Sequence, residues 1–294
     1  MITRRIALIL VCLVIPFVPP VAAQQGETVI FAVSKYGAEG VLEPIVILRR
    51  GTYVHPPSDD SGVSSRGVEA DTKAFIRDYF KAGRQSRLRF GGGEAGSVGV
   101  VKYNEPGCVD LNASASVQTQ ARVGGGVKAL ATNSQTLGRG QGSRRAPTEA
   151  ERASALTLAR EAFARKRIPA ALVSKMEVNN LTALDLDRDG TAELVGSFTA
   201  GKVEPDGSGQ QHTLFIIFEQ RGGKLAAGLV WFNSGAEESY ASRRLVDVLD
   251  VDGDGTAEVF AEGTYYESND YFIYKKQRGR GTEVYHGGGG GCGG

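Results

Sequence analysis

The chain has 294 residues, with 34 basic and 33 acidic side chains and a formal net charge of +1. That balance excludes a strongly basic nucleic-acid binder and an acidic solvating chain. A hydrophobic fraction of 41% supports a core and argues against global disorder, and the length suits one large domain or two smaller ones. The 40 glycines have no collagen-like period, so they imply many turns and short strands. Three histidines far apart in the chain argue against a zinc site built from imidazoles.

In chain order, Arg4 and Arg5 precede an apolar run from Ile6 to Val18, and Val21-Ala22-Ala23 supplies small residues. The run is shorter than the roughly 20 residues needed to span a bilayer. Residues 1–23 therefore read as a cleavable signal peptide, and the expected location is secreted or periplasmic. Cleavage leaves 271 residues with net charge −1 and two cysteines, Cys108 and Cys292. In an oxidising compartment this pair is a candidate disulfide. No later segment reads as transmembrane.

Residues 24–137 read as a mainly β subdomain with one helix. Strands are expected at Val29–Val33, Val46–Val54, Arg87–Phe90, Ser97–Tyr103 and Val127–Thr132, and Ala113–Val123 alternates small and polar residues. Asp71–Ala82 is helical in pattern, with Phe75, Ile76, Tyr79 and Phe80 on one face and Gly83 as a stop. The Gly91–Gly96 stretch matches G-x-G-x-x-G, but it leads into a strand pattern and not a helix, so it reads as a hairpin and not a dinucleotide site.

Gly138–Pro147 is a polar linker. A helix begins at Thr148, which with Glu151 forms a capping box, and Leu156, Ala159, Ala162 and Phe163 make its apolar stripe. Residues 148–286 read as this helix followed by strands at Leu194–Thr199, His212–Glu219, Leu225–Trp231, Glu258–Tyr265 and Tyr271–Lys275. Residues 287–294 read as a glycine-rich tail. The fold class expected is α+β, mainly antiparallel β with two helices in two subdomains. Charge also divides the chain, a little further on: residues 24–167 carry net +7 and residues 168–294 net −8.

Two acidic segments dominate the second half. Asp185-Leu-Asp187-Arg-Asp189-Gly-Thr191-Ala-Glu193 recurs as Asp250-Val-Asp252-Gly-Asp254-Gly-Thr256-Ala-Glu258, identical at seven of nine positions at an offset of 65. Acids at positions 1, 3 and 5 of a tight loop can converge on one ion, glycine at position 6 permits the turn, position 7 offers a carbonyl, and position 9 another carboxylate. Ca²⁺ takes six to eight such oxygens at about 2.3–2.6 Å. The expected ligands are thus Asp185, Asp187, Asp189, the Thr191 carbonyl and Glu193, and then Asp250, Asp252, Asp254, the Thr256 carbonyl and Glu258, giving two Ca²⁺ sites. Position 12 is Gly196 or Ala261, where an EF-hand needs a bidentate glutamate.

The nine-residue pattern resembles the calcium loops of FG-GAP/VCBS repeats, the integrin-type propeller blades. The resemblance covers the two loops and their flanking strands, at most residues 178–265, and it implies Ca²⁺ held by the acids at positions 1, 3, 5 and 9 and the carbonyl at 7. A full propeller is not expected, since the first half has no such loop. The function expected is an exported calcium-binding module without catalysis; the sequence names no partner, a glycan or a cell-surface protein being the candidates, and an exposed aromatic patch near Tyr265, Tyr266 and Tyr271 would favour this reading. The alternative is a secreted carbohydrate hydrolase in which calcium is structural.

Overall fold

The computed structural model describes residues 27–57, 65–105, 111–204, 208–277 and 280–291. The expected signal peptide, Cys108 and Cys292 lie outside the described residues. The chain is mostly antiparallel β. Among the described residues no helix is long and apolar enough to cross a membrane.

The first half is a barrel. Its elements are β1 (Thr28–Tyr36), β2 (Glu39–Arg49), β3 (Thr52–Val54), α1 (Ser65–Tyr79), β4 (Gln85–Phe90), β5 (Gly93–Asn104), β6 (Asn112–Thr119) and β7 (Ala129–Thr132). The order β1-β7-β4-β5-β6-β2 closes because β2 also pairs with β1, and β3 extends β2. In β1 the apolar run is buried on both faces. Val29, Phe31 and Val33 fill the barrel, while Ile30 and Ala32 point outward under another sheet. Phe75 of α1 and Phe80 just beyond it plug the barrel core, with their rings edge to face at 5.4 Å. The strand expected across Val46–Val54 is two strands, because Arg50 and Gly51 both have positive φ and make a tight hairpin.

The second half comprises α2 (Glu149–Arg165), α3 (Ala170–Val173), β8 (Glu177–Leu184), β9 (Glu193–Ala200), β10 (Gln211–Arg221), β11 (Lys224–Gly235), a 3₁₀ turn at Glu237–Ser239, β12 (Ser242–Leu249), β13 (Glu258–Thr264), β14 (Ser268–Gln277) and β15 (Arg280–Gly291). Strands β8–β11 form one four-stranded antiparallel sheet and β12–β15 another, each in simple sequential order. Where a single β subdomain was expected, there are two sheets built alike. β8 and β12 begin and end 65 residues apart, and so do the starts of β9 and β13.

The sheets are stacked. The outer face of the barrel (Ile30, Ile45, Val46) packs on Val246, Phe260, Tyr271 and Ile273 of the second sheet. The other face of that sheet (Leu245, Val248, Phe272, Tyr274) packs on Leu184, Val195, Phe215 and Ile217 of the first. Helix α2 then covers the far side of the first sheet through Ala155, Ala159, Ala162 and Phe163. Each sheet is buried on both faces, which explains the continuous apolar runs of β9 and β10. A Phe260→Ala truncation in this stack would cost about 3–5 kcal/mol.

The capping box at α2 forms as expected: Thr148 N donates to Glu151 Oε2 at 2.7 Å and Glu151 N to Thr148 Oγ1 at 3.3 Å. Arg145 forks onto the same carboxylate, and this bond holds the Glu151 carboxyl down at about 2. The Gly138–Pro147 segment is not a free connector. Glu94 N donates to Gly140 O, Ser143 N to Gly91 O, and Arg145 pairs with Ala183 through both backbone bonds. A side chain at Gly93 or Gly142 would collide with the backbone of the facing segment. Gly287–Gly291, read from the sequence as a tail, is instead the end of β15, paired with β14. A side chain at Gly288 would meet the Pro44 and Ile45 carbonyls of β2, so the glycines let this strand lie close against the barrel.

Candidate metal centre

Each acidic segment is the loop of a hairpin, between β8 and β9 or between β12 and β13. The residue types shape the loop before any ion is considered. The position-1 aspartate turns inward and accepts backbone N–H groups: Asp185 from Asp189 and Gly190 at 3.1 and 3.0 Å, and Asp250 from Gly253 and Gly255 at 2.7 and 3.1 Å. Asp189 and Asp254 each accept the N–H two residues on, from Thr191 at 2.7 Å and Thr256 at 2.9 Å. The position-9 glutamate reaches back to the N–H of position 2, Leu186 at 3.0 Å and Val251 at 2.9 Å, and so closes the loop. Position 4 is left-handed in both, with φ of 58° at Arg188 and 78° at Gly253; only the second loop puts glycine where that conformation carries no strain.

In the first loop, carboxylate oxygens of Asp185, Asp187 and Glu193 lie within 4.8 Å of one another; in the second, those of Asp250, Asp252 and Asp254 do. Two ligands on one Ca²⁺ at about 2.4 Å cannot be more than about 4.8 Å apart, so both sets fit a shared ion. All the donors are oxygen, which suits a hard cation and not a thiophilic one. The convergence is partial: Asp189 is not in the first set, and Glu258 is not in the second. The fit of the first set is strengthened by Asp187, whose buried Oδ1 has no hydrogen-bond partner; in the second loop Glu258, outside the converging set, is 0% exposed and its Oε1 has no hydrogen-bond partner either. Burial raises its carboxyl to about 7, and the neighbouring Asp252 adds to the rise. Burial likewise raises Glu193, with Asp187 contributing.

The two loops touch. Ala257 N donates to Leu186 O at 2.7 Å, and a small cavity between them is lined by Leu186, Glu193, Glu219, Ala257 and Lys276. The first loop is also braced by the 138–147 segment, since Asp185 N donates to Ser143 Oγ at 3.0 Å. Sequence reasoning missed the cations at the site. Lys275 Nζ bonds Asp252, lies 2.8 Å from Asp254 and 3.4 Å from Glu258. Burial works against its charge, but the bonds to Asp252 and Asp254 outweigh this and leave its pKa raised, while holding Asp254 below the usual carboxylate range. Lys276, pointing from the opposite face of β14, reaches Asp187 at 3.4 Å. The signal was present: a hairpin pairing Val259 with Tyr274 puts Lys275 opposite Glu258 one step further on.

A second charged cluster joins the bodies of the fold. Asp247 is fully buried and lies 3.2 Å from Arg144 Nη1, and it accepts the Gly91 N–H at 2.9 Å. Arg144 also donates to Lys128 O and Val246 O and lies over the Phe90 ring. Burial pushes the Asp247 carboxyl up to about 6 despite these partners. The Gly91–Gly96 stretch is the β4–β5 hairpin, as its sequence context suggested. The aromatic patch that would favour a binding module is not assembled. Tyr266 is 51% exposed, but Tyr271 is buried with its hydroxyl on Glu43, and Tyr265 is half-buried and bonded to Asp270 at 2.9 Å.

No family model matches the chain, and no curated protein or solved structure is significantly similar to it.

Proposed function

We propose that this chain is an exported calcium-binding module in which the two acidic loops of the β8–β9 and β12–β13 hairpins are the Ca²⁺ sites. The observation that carries the reading is the recurrence. The same nine-residue loop sits at the same place in two four-stranded sheets, and each converges three carboxylates within the span of one ion. The ligands assigned are Asp185, Asp187, Asp189, the Thr191 carbonyl and Glu193, with Asp250, Asp252, Asp254, the Thr256 carbonyl and Glu258. The sequential four-stranded sheet carrying each loop supports kinship with FG-GAP/VCBS blades. The class we assign is α+β, with two blade-like units beside a barrel and not a complete propeller. Its role is non-catalytic binding at a cell surface or in a periplasm, after removal of residues 1–23 and pairing of Cys108 with Cys292.

The test is calorimetric titration of the purified mature chain with CaCl₂, together with thermal melting in calcium and in chelator. Two bound ions and a higher melting temperature in calcium are expected. Superimposable melting curves and no heat of binding would refute the reading. Sequencing the exported protein from Gln24, and an intact mass two hydrogens below the reduced value, check the processing and the disulfide.

A further inference from the structure

The two sheets are repeats, so the residue across from each position-9 glutamate can be compared directly. In the first sheet the pairing Phe218–Leu194 puts Glu219 opposite Glu193. In the second, the pairing Tyr274–Val259 puts Lys275 opposite Glu258. Glu219 is buried and finds its cation in Arg221, at 3.2 Å and on its own strand. Lys275 is different. Its stem is largely covered, its side chain 15% exposed, and its ammonium sits among Asp252, Asp254 and Glu258. One of those oxygens, Glu258 Oε1, is buried, has no hydrogen bond, and is aimed at this ammonium. A cation thus already stands among carboxylates of the second loop, while among the described residues the first has only Lys276 touching Asp187.

We infer that Lys275 is an internal counter-cation of the second loop, displaced when a divalent cation binds there, so that the chain has one open and one lysine-latched cation site. This rests on the reading of the loops as calcium sites. Asp252 and Asp254 belong both to the converging set and to the partners of Lys275, so an ammonium and a Ca²⁺ held there compete for the same carboxylates and repel each other at close range. Binding to the second loop therefore includes the cost of withdrawing Lys275 from three carboxylates. The apparent affinity is lowered by the fraction of molecules in which the lysine is out. Without the ion, the lysine neutralises charge that the loop would otherwise hold uncompensated. The first loop has only the partial compensation of Lys276 at Asp187, and its cross-strand neighbour is another acid.

The experiment uses the full mature chain and CaCl₂ as the probe. Asp187→Asn disables the first loop and leaves the second to be titrated alone; adding Lys275→Met to that background removes the latch. Calcium affinity of the second loop should then tighten by about tenfold or more, and the melting temperature in chelator should fall. Unchanged or weaker binding after Lys275→Met overturns the inference alone, because the loop would still bind calcium. No binding in any variant, Lys275→Met included, overturns the calcium reading and the latch together. A readout on the unmutated side chain guards against a variant that fails to fold. With ¹⁵N-lysine labelling, a protected Lys275 ammonium signal in chelator should disappear as calcium saturates the second loop. Its persistence at saturation refutes displacement.

Discussion

The two four-stranded sheets differ where their loops do not. Seven of nine loop residues are identical, yet the surrounding positions have diverged in charge. Opposite the last loop residue stands Glu219 in one and Lys275 in the other. Three residues before the loop, Thr182 in the first sheet corresponds to the buried Asp247 of the second. The second sheet lies in the middle of the stack, between the barrel and the first sheet, and its extra charges are spent inward. Asp247 holds Arg144 and the Gly91 turn, and Lys275 fills its loop. A loop motif therefore states which atoms could meet an ion, while the strands that flank it decide what competes for those atoms.

The largest expected effect breaks the comparison at Asp247. Asp247→Leu leaves Arg144 buried without its carboxylate and should cost about 3–5 kcal/mol, read from the urea midpoint. Thr182→Val, at the equivalent place in the first sheet, should cost no more than about 1.5 kcal/mol. Arg144→Met combined with Asp247→Leu should recover most of the loss.

A pH series sharpens the same contrast. The folded carboxyl of Asp247 is raised to about 6, above an unfolded value near 3.9. The folded chain therefore binds the proton more tightly, and stability from this group is fully present below pH ~4 and lost as pH rises through ~6. The stability difference between wild type and Asp247→Asn should shift against wild type by about 3 kcal/mol across that window. A difference that stays flat would show the pair to be ionised at no cost.

Calcium removal compares the loops themselves. At a free ion concentration 100-fold above Kd, a site contributes about 2.7 kcal/mol. Asp187→Asn should remove more of the calcium-dependent rise in melting temperature than Asp252→Asn, because the lysine of the second loop sits among three carboxylates while Lys276 reaches the first loop at Asp187 alone. The smallest effect is at position 4. Arg188→Gly relieves left-handed strain of about 1 kcal/mol but loosens the unfolded chain by a similar amount, so the melting temperature should barely move. Gly253→Arg has both signs reversed and should be equally quiet.

Much of the local structure was legible. The Thr148 capping box, the Ala159–Phe163 stripe of α2, the β4–β5 glycine hairpin and both acidic hairpin loops are written in short-range residue patterns, where the chemistry and the geometry involve the same few residues. The strands β8, β12 and β15 were not. β8 opens on Glu177-Val-Asn-Asn, β12 on Ser242-Arg-Arg, and β15 ends in five glycines, so none shows clean alternation; their pairing comes from neighbours already in the sheet. The closed barrel was hidden for another reason. Its closure depends on β1 pairing with β7, about 100 residues away, and no local pattern records that. The site was half legible for the same cause: the loop oxygens are contiguous in sequence, but the lysines arrive from β14.

The place of β15 in the stack also sets an order of events during synthesis. The barrel strands are complete once Thr132 has been made, and their outward apolar row of Ile30, Ala32, Ile45, Val46 and Leu130 is then finished but bare. Its cover includes Tyr271, Ile273 and Tyr285, the last of them 155 residues after Leu130. At about 5–20 residues per second, that gap is roughly eight to thirty seconds. For that interval a hydrophobic wall faces solvent with its partner unmade, and a holdase that binds the nascent chain has its natural target there.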